Sequence, residues 1–99
     1  MTTPDERRRN LIWGRETLDE FSRDSSLPSS WREEAAQLLD GYPTVEYLQR
    51  FNAWDLAELD EYAALLMKAR LLFLRVRTSA DCSEQRRYSL GVVLRHFYG

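Results

Sequence analysis

Two stretches of the sequence repeat one spacing of apolar residues, and this repeat limits the folds open to the chain. At an offset of 55 positions, the apolar residues of segment 11–42 fall without gaps on those of segment 66–97. The matched pairs are Leu11 with Leu66, Gly14 with Ala69, Leu18 with Phe73, Phe21 with Val76, Ala35 with Leu90, Leu38 with Val93, Leu39 with Leu94 and Tyr42 with Phe97. Because these residues recur every three or four positions, each stretch predicts a hairpin of two amphipathic helices.

The repeat has two explanations, a duplication or a chance agreement between two amphipathic hairpins of equal length. Identities are few, chiefly Arg15 with Arg70, Arg32 with Arg87 and Leu39 with Leu94. We favour duplication because the match crosses the loop as well as the helices. Two related hairpins with exposed apolar stripes are expected to pack face to face about a pseudo-twofold axis.

The predicted fold is therefore a single all-α domain, a compact bundle of about five helices. A first hairpin covers residues 4–42, a connecting helix covers 44–51 and a second hairpin covers 53–98. The length of 99 residues and the hydrophobic fraction of 43% suit one globular domain with one core. Because so small a domain buries a modest fraction of its surface, formation of a homodimer would add stability.

Polar residues mark the positions where the helices are expected to begin. The expected caps are Thr3 with Glu6, Ser30 with Glu33, Thr44, Asn52 with Asp55, and Asp81 with Glu84. Gly41 is expected to end the second helix in a left-handed conformation, and Pro43 prevents continuation of that helix. No glycine or proline occurs between Asn52 and Thr78. This run predicts one long central helix that is buried on more than one side.

The chain has the sequence character of a cytoplasmic protein. It contains no run of 18 apolar residues, so we predict no membrane-spanning helix and no membrane partner. Residues 1–6 are polar and acidic, whereas a signal peptide would be basic and then apolar. The single cysteine, Cys82, cannot form an internal disulfide, which agrees with a reducing compartment.

The formal charge of −2 conceals two halves of opposite sign. Residues 1–61 contain 14 acidic residues against 7 arginines, whereas residues 62–99 contain 2 acidic residues against 6 arginines and Lys68. Opposite charges attract over about 10 Å at moderate salt. Such a chain can therefore steer a partner protein or a second copy of itself.

Several short motifs stand out, most of them in the N-terminal half. They are Met-Thr-Thr-Pro-Asp-Glu-Arg at residues 1–7, Gly14-Arg15-Glu16, Leu27-Pro28, and Leu38-Leu39 leading to Tyr42-Pro43. This half resembles a family of short, uncharacterised bacterial proteins that open with a Met-Thr-x-Pro-Asp-Glu-Arg box and continue through a helical hairpin to a Leu-Leu-x-x-Tyr-Pro segment. Residues 93–98 are similar to the end of that hairpin, which fits a diverged second copy. The resemblance implies a helical hairpin but no activity, and the chain departs from the family by its second half.

Neither the cysteine nor the histidine lies in a pattern that indicates chemistry. Cys82 has the acidic Asp81 and Glu84 nearby, which oppose a thiolate, and it aligns with Leu27 in the repeat. We therefore expect Cys82 to be a small buried side chain. His96 has no carboxylate or cysteine three or four positions away, so it is not predicted to bind a metal ion.

Paired carboxylates also fail to indicate a catalytic site. Glu33-Glu34 and Asp60-Glu61 are adjacent in sequence, and adjacent side chains on a helix point in different directions. They are interpreted as solvated charge. The prediction is a protein that is not an enzyme, with no catalytic residues, no metal site and no cofactor.

Three tryptophans in so short a chain are either core residues or anchors for a partner. Trp13 and Trp54 fall outside the predicted apolar stripes, and Trp31 aligns with Arg86 in the repeat. Since Trp, Tyr and Arg dominate binding hot spots, the leading hypothesis is a protein-interaction module, a bacterial regulatory or accessory factor. The predicted partner-binding residues are Trp13, Tyr47, Phe51 and Trp54.

The alternative is a small nucleic-acid-binding regulator that uses the basic C-terminal half. The chain contains 13 arginines but one lysine, and arginine binds phosphate with two parallel hydrogen bonds. The arginines that would form a basic patch are Arg75, Arg77, Arg86, Arg87 and Arg95. Against this alternative, the loop 78–81 has no glycine, and the pattern after it does not indicate a recognition helix.

Overall fold

The computed structural model describes residues 4–50, 60–95 and 97, and the regular secondary structure within these ranges is helical. The helices are α1 at Pro4–Arg23, α2 at Ser29–Gly41, α3 at Val45–Arg50, α4 at Ala63–Thr78 and α5 at Glu84–Arg95. The predicted all-α bundle is confirmed by this arrangement.

Four of the described helices form a ring in which each packs against two neighbours. Helix α1 packs against α2 and α5, and α4 packs against the same two helices. The short α3 contacts α1 and lies between the two hairpins in the chain. A twofold axis between the hairpins would superpose α1 on α4 and α2 on α5. It would therefore exchange the α1–α5 contact with the α2–α4 contact. The packing therefore has the pattern that the repeat predicts.

The core is built from the apolar residues of the repeat. Every residue of the eight matched pairs is buried except Leu39 and Leu94, which are half-buried. Tyr42 and Phe97 are equivalent in the repeat, and their rings stack with centroids 6.4 Å apart. Two further equivalent residues, Leu27 and Cys82, line one small cavity before the start of α2 and α5. Equivalent residues thus lie near one another at both ends of these helices, as they would beside a pseudo-twofold axis.

Helix α1 passes so close to the Tyr42–Phe97 pair that position 14 has no room for a side chain. A Cβ on Gly14 would lie 2.3 Å from Phe97 Cε1 and 2.8 Å from the Tyr42 hydroxyl oxygen. That hydroxyl donates a 2.6 Å hydrogen bond to the carbonyl of Leu11. Burial disfavours the phenolate and raises the pKa of Tyr42, so the hydroxyl remains a donor.

Two polar side chains of α1 bind the carboxyl-terminal ends of its neighbours, where helical carbonyls have no helical partner. The buried Asn10 amide donates to the carbonyls of Val92 at 2.9 Å and Val93 at 3.0 Å in the last turn of α5. The Arg15 guanidinium donates to the carbonyls of Leu39, Tyr42 and Pro43 at 3.3–3.5 Å. Helix α1 therefore ties the ends of α2 and α5 together.

The predicted helix caps are partly confirmed. Thr44 caps α3 as expected, because its Oγ1 accepts a 3.1 Å hydrogen bond from the Tyr47 amide. The Ser30–Glu33 capping box is wrong, since α2 begins one residue after Pro28 and has no side-chain cap. The Asp81 cap is also wrong, because Ser83 Oγ accepts the 3.1 Å hydrogen bond from the Arg86 amide. The predicted caps Thr3 and Asn52 lie outside the described residues.

Two backbone predictions are overturned by contacts between helices. Gly41 is the last residue of α2 and is not left-handed; its missing Cβ leaves room for Leu65 Cδ1, which would otherwise lie 2.9 Å away. The predicted long helix is interrupted at residues 61–62, which form a turn before α4. Tyr62 packs on Tyr47 of α3 with ring centroids 5.8 Å apart. The helix is predicted from the absence of glycine and proline, which gives no information about this tertiary contact.

We predict that Gly14→Ala lowers the free energy of unfolding by about 2 kcal/mol or more, because the new methyl group overlaps the buried ring of Phe97. Urea unfolding followed by circular dichroism measures the change. Gly91→Ala on α5 is the matched control, since its Cβ would meet only the end of the Arg77 side chain, at 3.3 Å. We expect that control to be neutral or stabilising by up to about 1 kcal/mol. Equal stability of Gly14→Ala and the wild type would contradict this account.

Candidate partner-binding site

A groove between α1 and α5 brings two exposed aromatic side chains together. Trp13 on α1 is 36% exposed and Tyr88 on α5 is 76% exposed, and both line a cavity of about 310 Å³. Val92 and Val93 line the same cavity and give it an apolar surface. Arg9 precedes Trp13 by four positions on α1, and its guanidinium lies over the indole ring, 5.2 Å from the ring centroid. This cation–π contact stabilises the position of the Trp13 side chain. The groove therefore offers aromatic surface to a ligand.

Carboxylates line the α1 side of the groove. Glu16 and Glu20 follow Trp13 by three and seven positions, so helical spacing places them on the same face. Both side chains are exposed. Glu16 forms no ion pair within the described ranges, whereas Glu20 contacts Arg86 at 3.4 Å. The aromatic groove therefore has an acidic rim.

The groove continues into a polar cavity of about 400 Å³ beside Ser83 and Arg86. Thr17, Glu20 and Ser89 line both cavities, so the two form one continuous surface along α1 and α5. The guanidinium of Arg86 lies 5.5 Å from the centroid of the Phe21 ring. The groove therefore has an aromatic end, at Trp13 and Tyr88, and a polar end, at Ser83 and Arg86.

An ion pair closes the polar end of the groove. Arg86 donates to the carboxylate of Asp24, which follows the end of α1. The Ser26 hydroxyl, 2.6 Å away, and Arg86 both bind the ionised carboxylate and lower the pKa of Asp24 from 3.8 to about 2. This network fixes the loop after α1 to the first turn of α5.

The structure separates the predicted partner-binding residues. Trp13 lines the groove, but Tyr47 lies on α3, where it is half-buried against the core and packs on Tyr62. Phe51 and Trp54 lie outside the described residues. Trp31 is half-buried against the core, so two of the tryptophans have different environments. The aromatic neighbour that shares the groove with Trp13 is Tyr88.

Tyr88 was missed because it lies outside the apolar stripe of the last helix. The repeat nevertheless contains a signal, since Tyr88 aligns with Glu33, a charged and exposed residue of α2. An aromatic side chain at a position equivalent to a surface carboxylate indicates exposure. That comparison would have placed Tyr88 among the candidate binding residues.

Three of the five arginines in the alternative nucleic-acid patch have partners within the chain. Arg75 pairs with both carboxylate oxygens of Glu34 at 2.7 Å. Arg86 pairs with Asp24 and Glu20, and Arg87 donates to the carbonyls of Arg77, Ser79 and Cys82 at 3.3–3.5 Å. Arg77 and Arg95 are exposed and form no ion pair within the described residues. The nucleic-acid alternative depends on these last two cations.

Within the described ranges, the side chains that were considered for catalysis or metal binding do not come together in one site. Cys82 is half-buried rather than fully buried, and its thiol contacts the carbonyl of Ser83 at 3.5 Å, so the prediction of a buried residue is wrong. The loop position of Cys82 before α5 explains its partial exposure. The side chain of His96 lies outside the described residues. Among the described residues, no group of three or more His, Cys, Asp or Glu side chains is arranged to hold a metal ion.

No helix in the described part of the chain is both long and apolar enough to cross a membrane.

We predict that Asp24→Asn lowers the free energy of unfolding at pH 7 by about 1 kcal/mol, since the partly exposed ion pair with Arg86 is lost. The fold lowers the pKa of Asp24, so its stabilisation is present above about pH 4 and is lost as the pH falls to about 2. Urea unfolding of both proteins across this range measures the effect. Asp40→Asn removes an exposed carboxylate of α2 that forms no ion pair within the described residues, so it is the control and should keep the wild-type free energy of unfolding at pH 7. A deficit of equal size at pH 2 and pH 7 would refute the assignment.

Comparisons with protein-family models, with curated proteins and with solved structures found no match to this chain. The support for a function therefore comes from the geometry and charge of the groove between α1 and α5.

Proposed function

We propose that this chain is a non-enzymatic protein-interaction module, a bacterial regulatory or accessory factor of the cytoplasm, that binds a partner in the groove between α1 and α5. The observation that carries the proposal is the exposed pair of Trp13 and Tyr88 in one groove. Tyrosine and tryptophan are the residue types that contribute most to protein interfaces, because each buries a large rigid surface with few rotatable bonds.

The exposure of Tyr88 supports binding more strongly than it supports a structural role. At 76% exposed, the ring contributes little to the core. A partner that covers Tyr88, Trp13 and Val92 together would remove a continuous apolar surface from water. This free energy of burial is gained only on binding, because Tyr88 and Trp13 are exposed to water in the free chain.

The acidic rim supports a partner with a cationic side chain beside its apolar contacts. Glu16 has no ion pair within the described residues, so its carboxylate is available to an arginine or lysine of the partner. Exposed carboxylates also repel phosphate, which disfavours nucleic acid in this groove. We therefore propose that the partner presents an apolar side chain followed or preceded by a basic one.

Nucleic-acid binding remains the alternative proposal and would use another surface. It depends on Arg77 and Arg95, which are exposed cations of the C-terminal half. A phosphate-binding surface predicts affinity that falls steeply with salt. Variants at the groove and at these arginines therefore separate the two proposals.

The test begins with a photo-crosslinking phenylalanine analogue at position 88, introduced into the full chain in its native cell. We expect a protein to be captured at this position and not at the exposed position 37 of α2, which serves as the control. With that protein purified, Trp13→Ala and Tyr88→Ala are each expected to weaken binding about tenfold or more, as hot-spot residues do. Gln37→Ala is expected to bind as the wild type does.

Thermal unfolding checks that the variants are folded. Tyr88→Ala is expected to keep the wild-type melting temperature, because the ring makes few contacts within the chain. Wild-type affinity in both folded aromatic variants would overturn the proposal. Binding of a DNA or RNA duplex at low salt that is lost in Arg77→Ala with Arg95→Ala would favour the alternative.

A further inference from the structure

A second exposed apolar surface lies on α4, away from the groove between α1 and α5. Of the large hydrophobic side chains that are exposed in the described residues, two line that groove and two others, Met67 and Leu71, lie on α4. Met67 is 39% exposed and Leu71 is 50% exposed. Leu71 and the half-buried Leu74 line a shallow cavity of about 380 Å³. Helix α4 lies across the ring from α1, so this surface is separate from the proposed binding groove.

The residues of this surface have the spacing of a helix-packing seam. They alternate at intervals of three and four positions, and we call them the α4 seam: Ala64, Met67, Leu71, Leu74 and Thr78. Intervals of this kind place all five residues in one line along a helix. The opposite side of α4, which includes Leu66 and Phe73, is fully buried in the core. The seam is therefore a second apolar face of a helix that already has one face in the core.

The charges of α4 itself all have one sign. Helix α4 contains four basic residues and no acidic residue. Arg75 is paired with Glu34, but Lys68 and Arg77 are exposed and form no ion pair within the described residues. A surface with an apolar line and cationic flanks is complementary to a helix with an apolar line and acidic flanks.

We propose that the α4 seam is a docking face for an amphipathic helix of a partner protein whose apolar stripe is flanked by Asp and Glu. The occupant packs its apolar side chains against Met67 and Leu71 and places carboxylates near Lys68 and Arg77. This mode is a helix laid along a helix, in which apolar anchors recur every three or four residues.

Two other occupants fit the charges less well. Pairing of α4 with α4 of a second copy would place cations against cations in either orientation, because the helix has no acidic residue. An anionic membrane surface attracts clusters of about four to eight basic residues. Beside the α4 seam, two exposed cations form no ion pair within the described ranges, and the apolar line is narrow. The acidic helix is therefore the occupant that the charges favour.

The probe for the test is a synthetic 18-residue helical peptide with leucines at seam spacing and glutamates beside them. A second peptide has the same leucines with lysines in place of the glutamates. We expect fluorescence anisotropy to show that the full chain binds the glutamate peptide at least tenfold more tightly than the lysine peptide. We expect Leu71→Asp to weaken that binding tenfold or more, and Lys68→Glu to weaken it most at low salt.

Gln37→Glu is the matched control, since it adds a carboxylate at an exposed position of α2 and should leave peptide binding unchanged. Thermal unfolding confirms that Leu71→Asp is folded, and Met67→Asp serves as a second variant if it is not. Tyr88→Ala should also leave peptide binding unchanged, so failure at the α4 seam and failure at the groove are distinguishable.

Four results would overturn the proposal. Equal binding of the two peptides, or binding of neither, would remove the role of charge complementarity. Binding to vesicles of phosphatidylserine and phosphatidylcholine without binding of the glutamate peptide would assign the seam to a membrane. A dimer in native mass spectrometry that Leu71→Asp dissociates would assign it to a second copy.

Discussion

The close approach of α1 to the Tyr42–Phe97 pair is the constraint on which the rest of the bundle depends. Gly14 permits this approach, and the Tyr42 hydroxyl bonds the backbone of α1 at Leu11. One turn of helix therefore meets the carboxyl-terminal ends of both hairpins. Asn10, from the same part of α1, satisfies carbonyls of α5 that no helical amide can reach. A side chain at position 14 would separate all of these contacts at once.

The two hairpins share a pattern of core residues, but the arginines that are identical between them make different contacts. Arg15 of the first hairpin binds the carbonyls at the end of α2, and Arg87 of the second binds carbonyls at the end of α4 and in the loop after it. These arginines are among the few identities between the two halves. Their roles are structural, since each satisfies backbone groups that a helix end leaves unpaired. Arg15 and Arg87 are therefore explained by the fold before any ligand is considered.

Function is expected where the two halves differ. Trp13 and Tyr88 have no aromatic counterpart in the other half, since they align with Lys68 and Glu33. Leu71 of α4 differs in the same way because it aligns with Glu16, whereas Met67 aligns with another apolar residue, Ile12. Two hairpins can keep the same core pattern while their surfaces differ, because exposed substitutions have small effects on stability. The two proposed docking surfaces lie at such positions.

The sequence by itself determined the all-α class and the apolar residues of the repeat that form the core, because these depend on helical spacing of apolar residues, which is a local property. It also located Trp13 as a residue outside the apolar stripes. Only the tertiary structure decided the turn at Glu61–Tyr62 and the pairing of Trp13 with Tyr88. These features arise where distant segments meet, and residues 13 and 88 become neighbours only when α1 packs on α5. Helical periodicity predicts which face of a helix is buried, but it does not predict which other helix packs against that face.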